Sequence, residues 1–405
     1  MAKVAILGFG TVGSGVLEVL RTGAQGIARR AGEAVEVKYI CDIRDFSAHP
    51  DAALFVNSIE PILSDGEVRV VVETIGGLDP AYYYVRSALE SGRHVVTSNK
   101  ELVATRGAEL LRIARDNGVC FLFEASVGGG TPVITPMYQC LSANRIGEVL
   151  GVVNGTTNFM LTKMSREGLS FDEALREAQR LGYAETIDPS ADVDGVDAQR
   201  KISILASIAL GRHIYPQDVP ARGIRTVSTA DIDAARQLGY AVRLIARMAC
   251  PQDNVLAPTV CVEPMLVPNG CPLAHVDDVY NAVLLRCDML GDAVFYGRGA
   301  GKLPTASAVA ADVADALREG AAIHDSLFWD EALPLGEGRS CADKARGDWY
   351  IRVRGDGAVP CLESVACPGA RAGLLRARTE AEIDALRESG EANGFAVENW
   401  MRVLA

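Results

Sequence analysis

No run of apolar residues in this 405-residue chain approaches the roughly 20 that a membrane-spanning helix needs. A basic block is missing too. Forty Lys and Arg face 52 Asp and Glu for a net charge of −12, which argues against nucleic acid or an anionic membrane as partner. Ten cysteines are present, but without a CxxC pair or a Cys/His ligand spacing. They read as reduced thiols of a cytoplasmic protein, not as a disulfide frame or a zinc site. There are only five histidines, and none lies in the motifs described below, so the commonest proton carrier is absent from them. Lys3 and the apolar run after it imitate a signal peptide, but five glycines among residues 8 to 23 and Glu18 spoil the imitation. Internal repeats and low-complexity segments are absent.

What remains is a globular composition, 49% hydrophobic and 23% charged, in a chain too long for one core. Lys3–Leu7 reads as a buried strand that runs into Gly8-Phe9-Gly10-Thr11-Val12-Gly13, followed by a helical pattern through Val16, Leu17, Val19 and Leu20. A G-x-G-x-x-G loop between a first strand and a first helix suits a dinucleotide. The chain can turn tightly, a pyrophosphate can approach the backbone, and the helix N-terminus attracts the anion. Val35–Cys41 is the second strand and ends at Asp42, an acid placed to take ribose hydroxyls. Arg44 just beyond it could meet a 2′-phosphate, so NAD and NADP both stay open. Asp42 lies further from Gly13 than the usual ~20 residues, which implies an insertion around Gly23–Glu33.

Val68–Glu73, His94–Thr97 and Val119–Glu124 are further strands, with helices at Tyr82–Glu90 and Glu101–Asp116. This alternation predicts a doubly wound parallel sheet, with ligands beyond the carboxyl ends of its strands, where Thr74, Ser98 and Lys100 fall. The connector Ala125–Pro132 is glycine-rich, and its bare carbonyls suit either a cation or a hinge. A helix near Val133–Leu141 and a strand near Glu148–Val153 come next. Further on the sequence predicts long strands at Tyr240–Met248 and Val255–Val267, near a sheet edge, and a helix at Pro272–Leu285. The domains expected are 1–144 for the dinucleotide, 145–300 for an α+β unit, a helix at 301–325 returning to the first domain, and a tail at 345–405.

The stretch Leu181–Lys201 concentrates carboxylates around one lysine. Asp194 suits a helix N-cap, and Asp197 and Lys201 stand four residues apart on one helix face. Ile204, Leu205 and Ile208 follow Lys201 on an apolar face, and Gly211 suits the C-cap. Such a lysine needs an acid beside it, and burial would lower its pKa toward acid/base work. Glu185, Asp188 and Asp192 occupy the loop leading in. A surface ion pair with an ordinary acidic turn is the plainer reading of the same residues.

With GFGTVG, SNK, NGTTN, LGYAE…DP…D…D…RK and GxGAG in this order, residues 1–320 closely resemble homoserine dehydrogenase. The resemblance implies a Rossmann-type α/β fold with an α+β substrate and dimerisation domain. It also implies NAD- or NADP-dependent interconversion of aspartate semialdehyde and homoserine, on the route to threonine and methionine. Carried over, Lys201 is the acid/base lysine, Glu185, Asp192 and Asp197 bind substrate, and Lys100 lies by the nicotinamide. Gly182 and Gly301 touch the cofactor, and Glu124, Val127, Gly129 and Thr131 match a sodium site. The tail resembles a shortened ACT-type module, βαββαβ, with an eroded first helix. Two departures stand out: Glu185–Pro189 has one residue more than the usual AE-x-DP, and Cys41 replaces a frequent arginine. The rival readings are a dinucleotide-binding sensor without chemistry and aspartate-semialdehyde dehydrogenase, for which Cys140 is the sole nearby thiol.

Overall fold

A computed structural model describes residues 1–250, 258–331, 346–359, 363–367 and 369–404. The amino-terminal strands are β1 (Ala2–Leu7), β2 (Val35–Cys41), the short β3 (Phe55–Val56), β4 (Val68–Glu73), β5 (His94–Thr97) and β6 (Phe121–Leu122). Between them run α1 (Thr11–Thr22), α2 (Ala24–Ala31), α3 (Glu60–Ser64), α4 (Ala81–Glu90) and α5 (Lys100–Asp116), and α6 (Ala125–Gly128) follows. Then come β7 (Ile146–Val152), α7 (Gly155–Glu167), α8 (Phe171–Arg180), α9 (Ser190–Val193), α10 (Val196–Leu210) and α11 (Thr229–Gln237). Strands β8 (Tyr240–Ala249), β9 (Thr259–Pro268), β10 (Tyr280–Cys287) and β11 (Gly291–Arg298) precede α12 (Lys302–Glu319). The tail holds β12 (Gly347–Arg354), β13 (Glu363–Cys367), β14 (Ala370–Arg378), α13 (Glu380–Ser389) and β15 (Ala396–Val403).

These elements form two compact units. One comprises Met1–Arg145, Ser203–Asp218 and Gly297–Leu333, the other Ile146–Ile202, Val219–Tyr296 and Pro334–Ala405. In the first unit a six-stranded sheet runs β3-β2-β1-β4-β5-β6 with parallel pairing, the 3-2-1-4-5-6 order of a doubly wound dinucleotide fold. Its strands are almost wholly apolar because helices cover both faces. The implied insertion is helix α2, whose Arg30 reaches Asp315 of α12 through two bonds of 2.7 and 2.8 Å. Helix α12 also lies on α1. A Cβ on Gly15 would stand 2.9 Å from Lys302 atoms, so only glycine permits that approach.

The second unit carries a nine-stranded sheet in the order β11-β10-β7-β8-β9-β15-β12-β14-β13. Leu150, Ile245, Met265, Leu273, Leu284 and Leu404 pack into one core on it. Two expectations are corrected here. Pro272–Leu285 is not a helix but a single 3₁₀ turn, Pro272–His275, followed by β10, which pairs with β7 and is buried along most of its length. A short apolar run such as Ala282–Leu285 fits a buried strand as well as a helix, and strand pairing decided it. Strands β8 and β9 are interior, with β7 and β15 flanking them, so the edges of the sheet are β11 and β13. The helix expected near Val133–Leu141 is present, and its part Pro136–Cys140 is π-helical.

The tail runs β-β-β-α-β among the described residues and joins the sheet where β15 pairs in parallel with β9. No helix among the described residues is long and apolar enough to cross a membrane.

Candidate active site

At the dinucleotide end, each glycine of the loop has its own reason. Gly8 has φ +87°, and a Cβ on Gly13 would stand 2.0 Å from the Gly8 carbonyl oxygen. Gly10, the N-cap of α1, has nothing within 4 Å of where its Cβ would stand, which leaves room for a pyrophosphate over the helix N-terminus that Thr11 and Val12 begin. Asp42 does close the second strand. One of its carboxylate oxygens accepts the Phe9 N–H at 2.7 Å, and the Arg44 side chain grips the carboxylate through Nε at 2.9 Å and a terminal nitrogen at 2.7 Å. The Arg44 guanidinium, then the Arg44 and Phe9 N–H groups, hold Asp42 far below the usual carboxylate range despite its burial.

Thr74 braces this loop, since its hydroxyl donates to the carbonyls of Leu7 and Gly8 at 3.1 and 2.9 Å. The turn after it hangs on Glu73, which sequence reasoning passed over. That carboxylate accepts the N–H groups of Ile75 and Gly76 at 2.7 and 3.0 Å and bonds the Thr97 hydroxyl, while burial pushes its pKa up. An acid closing the apolar run Val70–Val72 was the signal. Ser98 leads into Asn99, whose side chain caps α5 at Leu102 and donates to the Gly77 carbonyl at 2.6 Å. Lys100 is therefore set at the first position of α5, at the carboxyl end of β5.

The connector is packed, not hinged. A Cβ on Gly129 would lie 2.4 Å from the Gly299 carbonyl oxygen, and one on Gly130 would lie 2.5 Å from Pro304. Gly301, at φ +124°, caps α12 just beyond. The Glu124 side chain accepts three N–H groups, from Val133, Ile134 and Thr135 at 2.7, 2.9 and 2.6 Å. Val127 and Thr131 are buried beside it in the same turn. Among the described residues no group of three or more His, Cys, Asp or Glu is arranged to hold a metal ion.

In the second unit, Lys201 and Asp197 share one face of α10 with their charged atoms 2.8 Å apart, and both residues are over nine-tenths buried. Lys201 Nζ also donates to the Val153 carbonyl at 2.7 Å, and Asn281 donates to that same oxygen at 3.0 Å. Asp192, from α9, joins through Asn154, whose amide nitrogen donates to Asp192 at 2.7 Å and to Asp197 at 3.0 Å. Burial first, then the Asp197 charge, raises the Asp192 carboxyl above its ordinary value. Asp194 is not the N-cap of α10. It ends α9 and pairs with Arg225 at 2.6 and 3.1 Å, while Gly195, at φ +87°, turns the chain into α10.

Glu185 stands apart. It lies on the exposed turn after α8, with Gly182 at φ +76°, and no hydrogen bond joins it to Lys201, Asp192 or Asp197 among the described residues. Asn154 and Asn281 were missed as site residues. The first was legible as part of NGTTN, but its two carboxylate partners lie 38 and 43 residues away.

Residues 132–314 match the homoserine dehydrogenase family model, and residues 8–124 match the model for the homoserine dehydrogenase NAD-binding domain. A homoserine dehydrogenase of Synechocystis sp. is 44% identical over 315 residues, 77% of this chain and 72% of that one. The chain belongs to the homoserine dehydrogenase family. A crystal structure of a homoserine dehydrogenase from Thiobacillus denitrificans superposes with a TM-score of 0.89 at 34% identity, covering 100% of this chain and 98% of that one. A hyperthermophilic archaeal homoserine dehydrogenase in complex with NADPH gives a TM-score of 0.66 at 31% identity, covering 78% and 97%. The chain is thus an oxidoreductase with a nucleotide-cofactor domain, and neither a sensor without chemistry nor an aspartate-semialdehyde dehydrogenase is favoured.

Proposed function

We propose that Lys201 is the acid/base group for the interconversion of homoserine and aspartate semialdehyde, with Asp197 and Asp192 as its carboxylate partners. The observation that carries this is the buried Lys201–Asp197 contact of 2.8 Å, with Asp192 bridged to it. In the oxidative direction Lys201 takes the proton of the substrate hydroxyl as the C–H hydride leaves, and in reverse it returns that proton to the alkoxide. A nicotinamide cofactor held at the Gly8–Gly13 loop would supply the hydride acceptor or donor. Asp197 and the Val153 carbonyl hold the lysine nitrogen in place. The carboxylates of Asp192 and Asp197 suit the substrate ammonium, and Glu185, Gly182 and Lys100 stay in the proposal through the resemblance of their motifs.

The loop Gly8–Gly13 fits a dinucleotide, by the space over Gly10. NAD and NADP are both proposed, because Arg44 neutralises the acid that would repel a 2′-phosphate. A sodium ion is proposed at Glu124, Val127, Gly129 and Thr131. With the Glu124 side chain committed to three N–H groups, main-chain carbonyls are the donors that suit it. A cytoplasmic setting and service to threonine and methionine synthesis belong to the same reading. A homodimer is proposed through strand β11, an edge strand of the second unit's sheet.

The decisive variant is Lys201→Ala. It should lose about 10²–10⁴-fold in turnover with dinucleotide binding kept. A near-normal kcat removes Lys201 from the mechanism.

A further inference from the structure

Two carboxylates beside each other in a buried place repel one another, and each gains by becoming neutral. Asp192, half-buried, and Asp197, buried, are in that position, on two successive helices. The Asn154 side chain touches both of them. We infer that Asn154 is a positioning residue, whose single amide nitrogen keeps Asp192 and Asp197 paired and ionised, and so ready for a cationic substrate group.

The orientation of that amide is set by its other end. Its carbonyl oxygen accepts the Thr157 N–H and the Thr157 hydroxyl, both at 2.8 Å, as the N-cap of α7. Two donors on one side require the oxygen there, so the amino group must face the carboxylates. It donates to Asp192 at 2.7 Å and to Asp197 at 3.0 Å, at a residue only 5% exposed. Hydrogen bonds to the charged form are what hold a carboxyl ionised against burial. The charged and polar groups around Asp192 are Asp197 and Lys201 from α10 and the Asn154 and Thr156 side chains from α7. Arg225 is turned to Asp194 at the end of α9. Among these, Asn154 is the one that spans both carboxylates. The cap and the bridge are thus one side chain, and the start of α7 fixes the spacing of the two acids.

This rests on the reading of Lys201, Asp192 and Asp197 as the site, and the test separates the two. Serine is as good an N-cap as asparagine but carries no amino group to bridge. In the full-length protein Asn154→Ser should raise the KM for homoserine at least about tenfold, for two lost hydrogen bonds to charged groups, with kcat changed little. The acid limb of kcat/KM should move to higher pH, because Asp192 loses a donor to its ionised form, and dinucleotide affinity should stay. Should serine not yield a folded protein, Asn154→Asp keeps the cap, adds a third negative charge, and should raise KM further. Parental KM and acid limb in Asn154→Ser, alongside an inactive Lys201→Ala, overturn the inference. So does a loss of melting temperature and kcat with the acid limb unmoved, which makes Asn154 a helix cap only. An active Lys201→Ala overturns the site reading itself.

Discussion

Arg44 folds back on Asp42, so the acid that ordinarily selects against a 2′-phosphate is already neutralised in place. The guanidinium also lies 5.2 Å over the Phe46 ring, which holds the side chain near the end of β2. Arg44→Ala should therefore weaken NADP about tenfold, by loss of one charged hydrogen-bond partner, and leave NAD almost unchanged. Parallel KM measurements for the two cofactors check this, and equal losses for both count against it. Removal of Arg44 leaves Asp42 with the backbone N–H bonds from Phe9 and residue 44, so the carboxylate stays ionised at neutral pH and the NAD arm of the experiment is a fair control.

Helix α1 shows how one element turns glycine positions into function. Gly13 and Gly15 are packing glycines, facing the Gly8 carbonyl and Lys302 of α12, whereas Gly10 faces open space. The substitutions should separate accordingly. Gly10→Ala should leave the melting temperature close to that of the parent but weaken dinucleotide binding, because the methyl group fills the pyrophosphate approach. Gly13→Ala should lower both, with a stability loss of about 1–3 kcal/mol from overpacking. Thermal unfolding and calorimetric titration with NADP distinguish the two. A Gly13→Ala protein with parental melting temperature would falsify the account of that contact.

For the whole molecule, the strand order moves the proposed dimer surface. Strands β8 and β9 already have neighbours on both sides, so they have no open edge for a partner. Strand β11 is at an edge, Val294 and Tyr296 on it are 42% and 56% exposed, and Met289 in the preceding turn is 81% exposed. An apolar open edge is a template for a second copy. Light scattering at micromolar concentration should give the mass of a dimer or a multiple of it. Val294→Lys with Tyr296→Lys should shift that mass to a monomer, and a parent that is already monomeric ends the proposal. The tail is no loose appendage of the second unit. Leu404 lies in the central core, and β15 stands between β9 and β12, where Arg402 also pairs with Glu263.

The sequence by itself determined what depends on near neighbours. The glycine loop after a first strand, the alternation behind the parallel sheet, and the Asp197–Lys201 pair all follow from spacings of a few residues, which one turn or one strand fixes. The family likeness was legible for the same reason, since its motifs are short. Tertiary structure decided whatever needed a distant partner. Tyr280–Cys287 became a strand because β7 offered a register, β8 and β9 became interior because β7 flanks the one and β15 returned from the end of the chain beside the other, and Asp194 turned to Arg225 instead of capping α10. Above all, Asn154 became part of the site only because the fold brought Asp192 and Asp197 to its amide. Hydrogen bonds of that kind depend on three-dimensional approach, which periodicity along the chain does not encode.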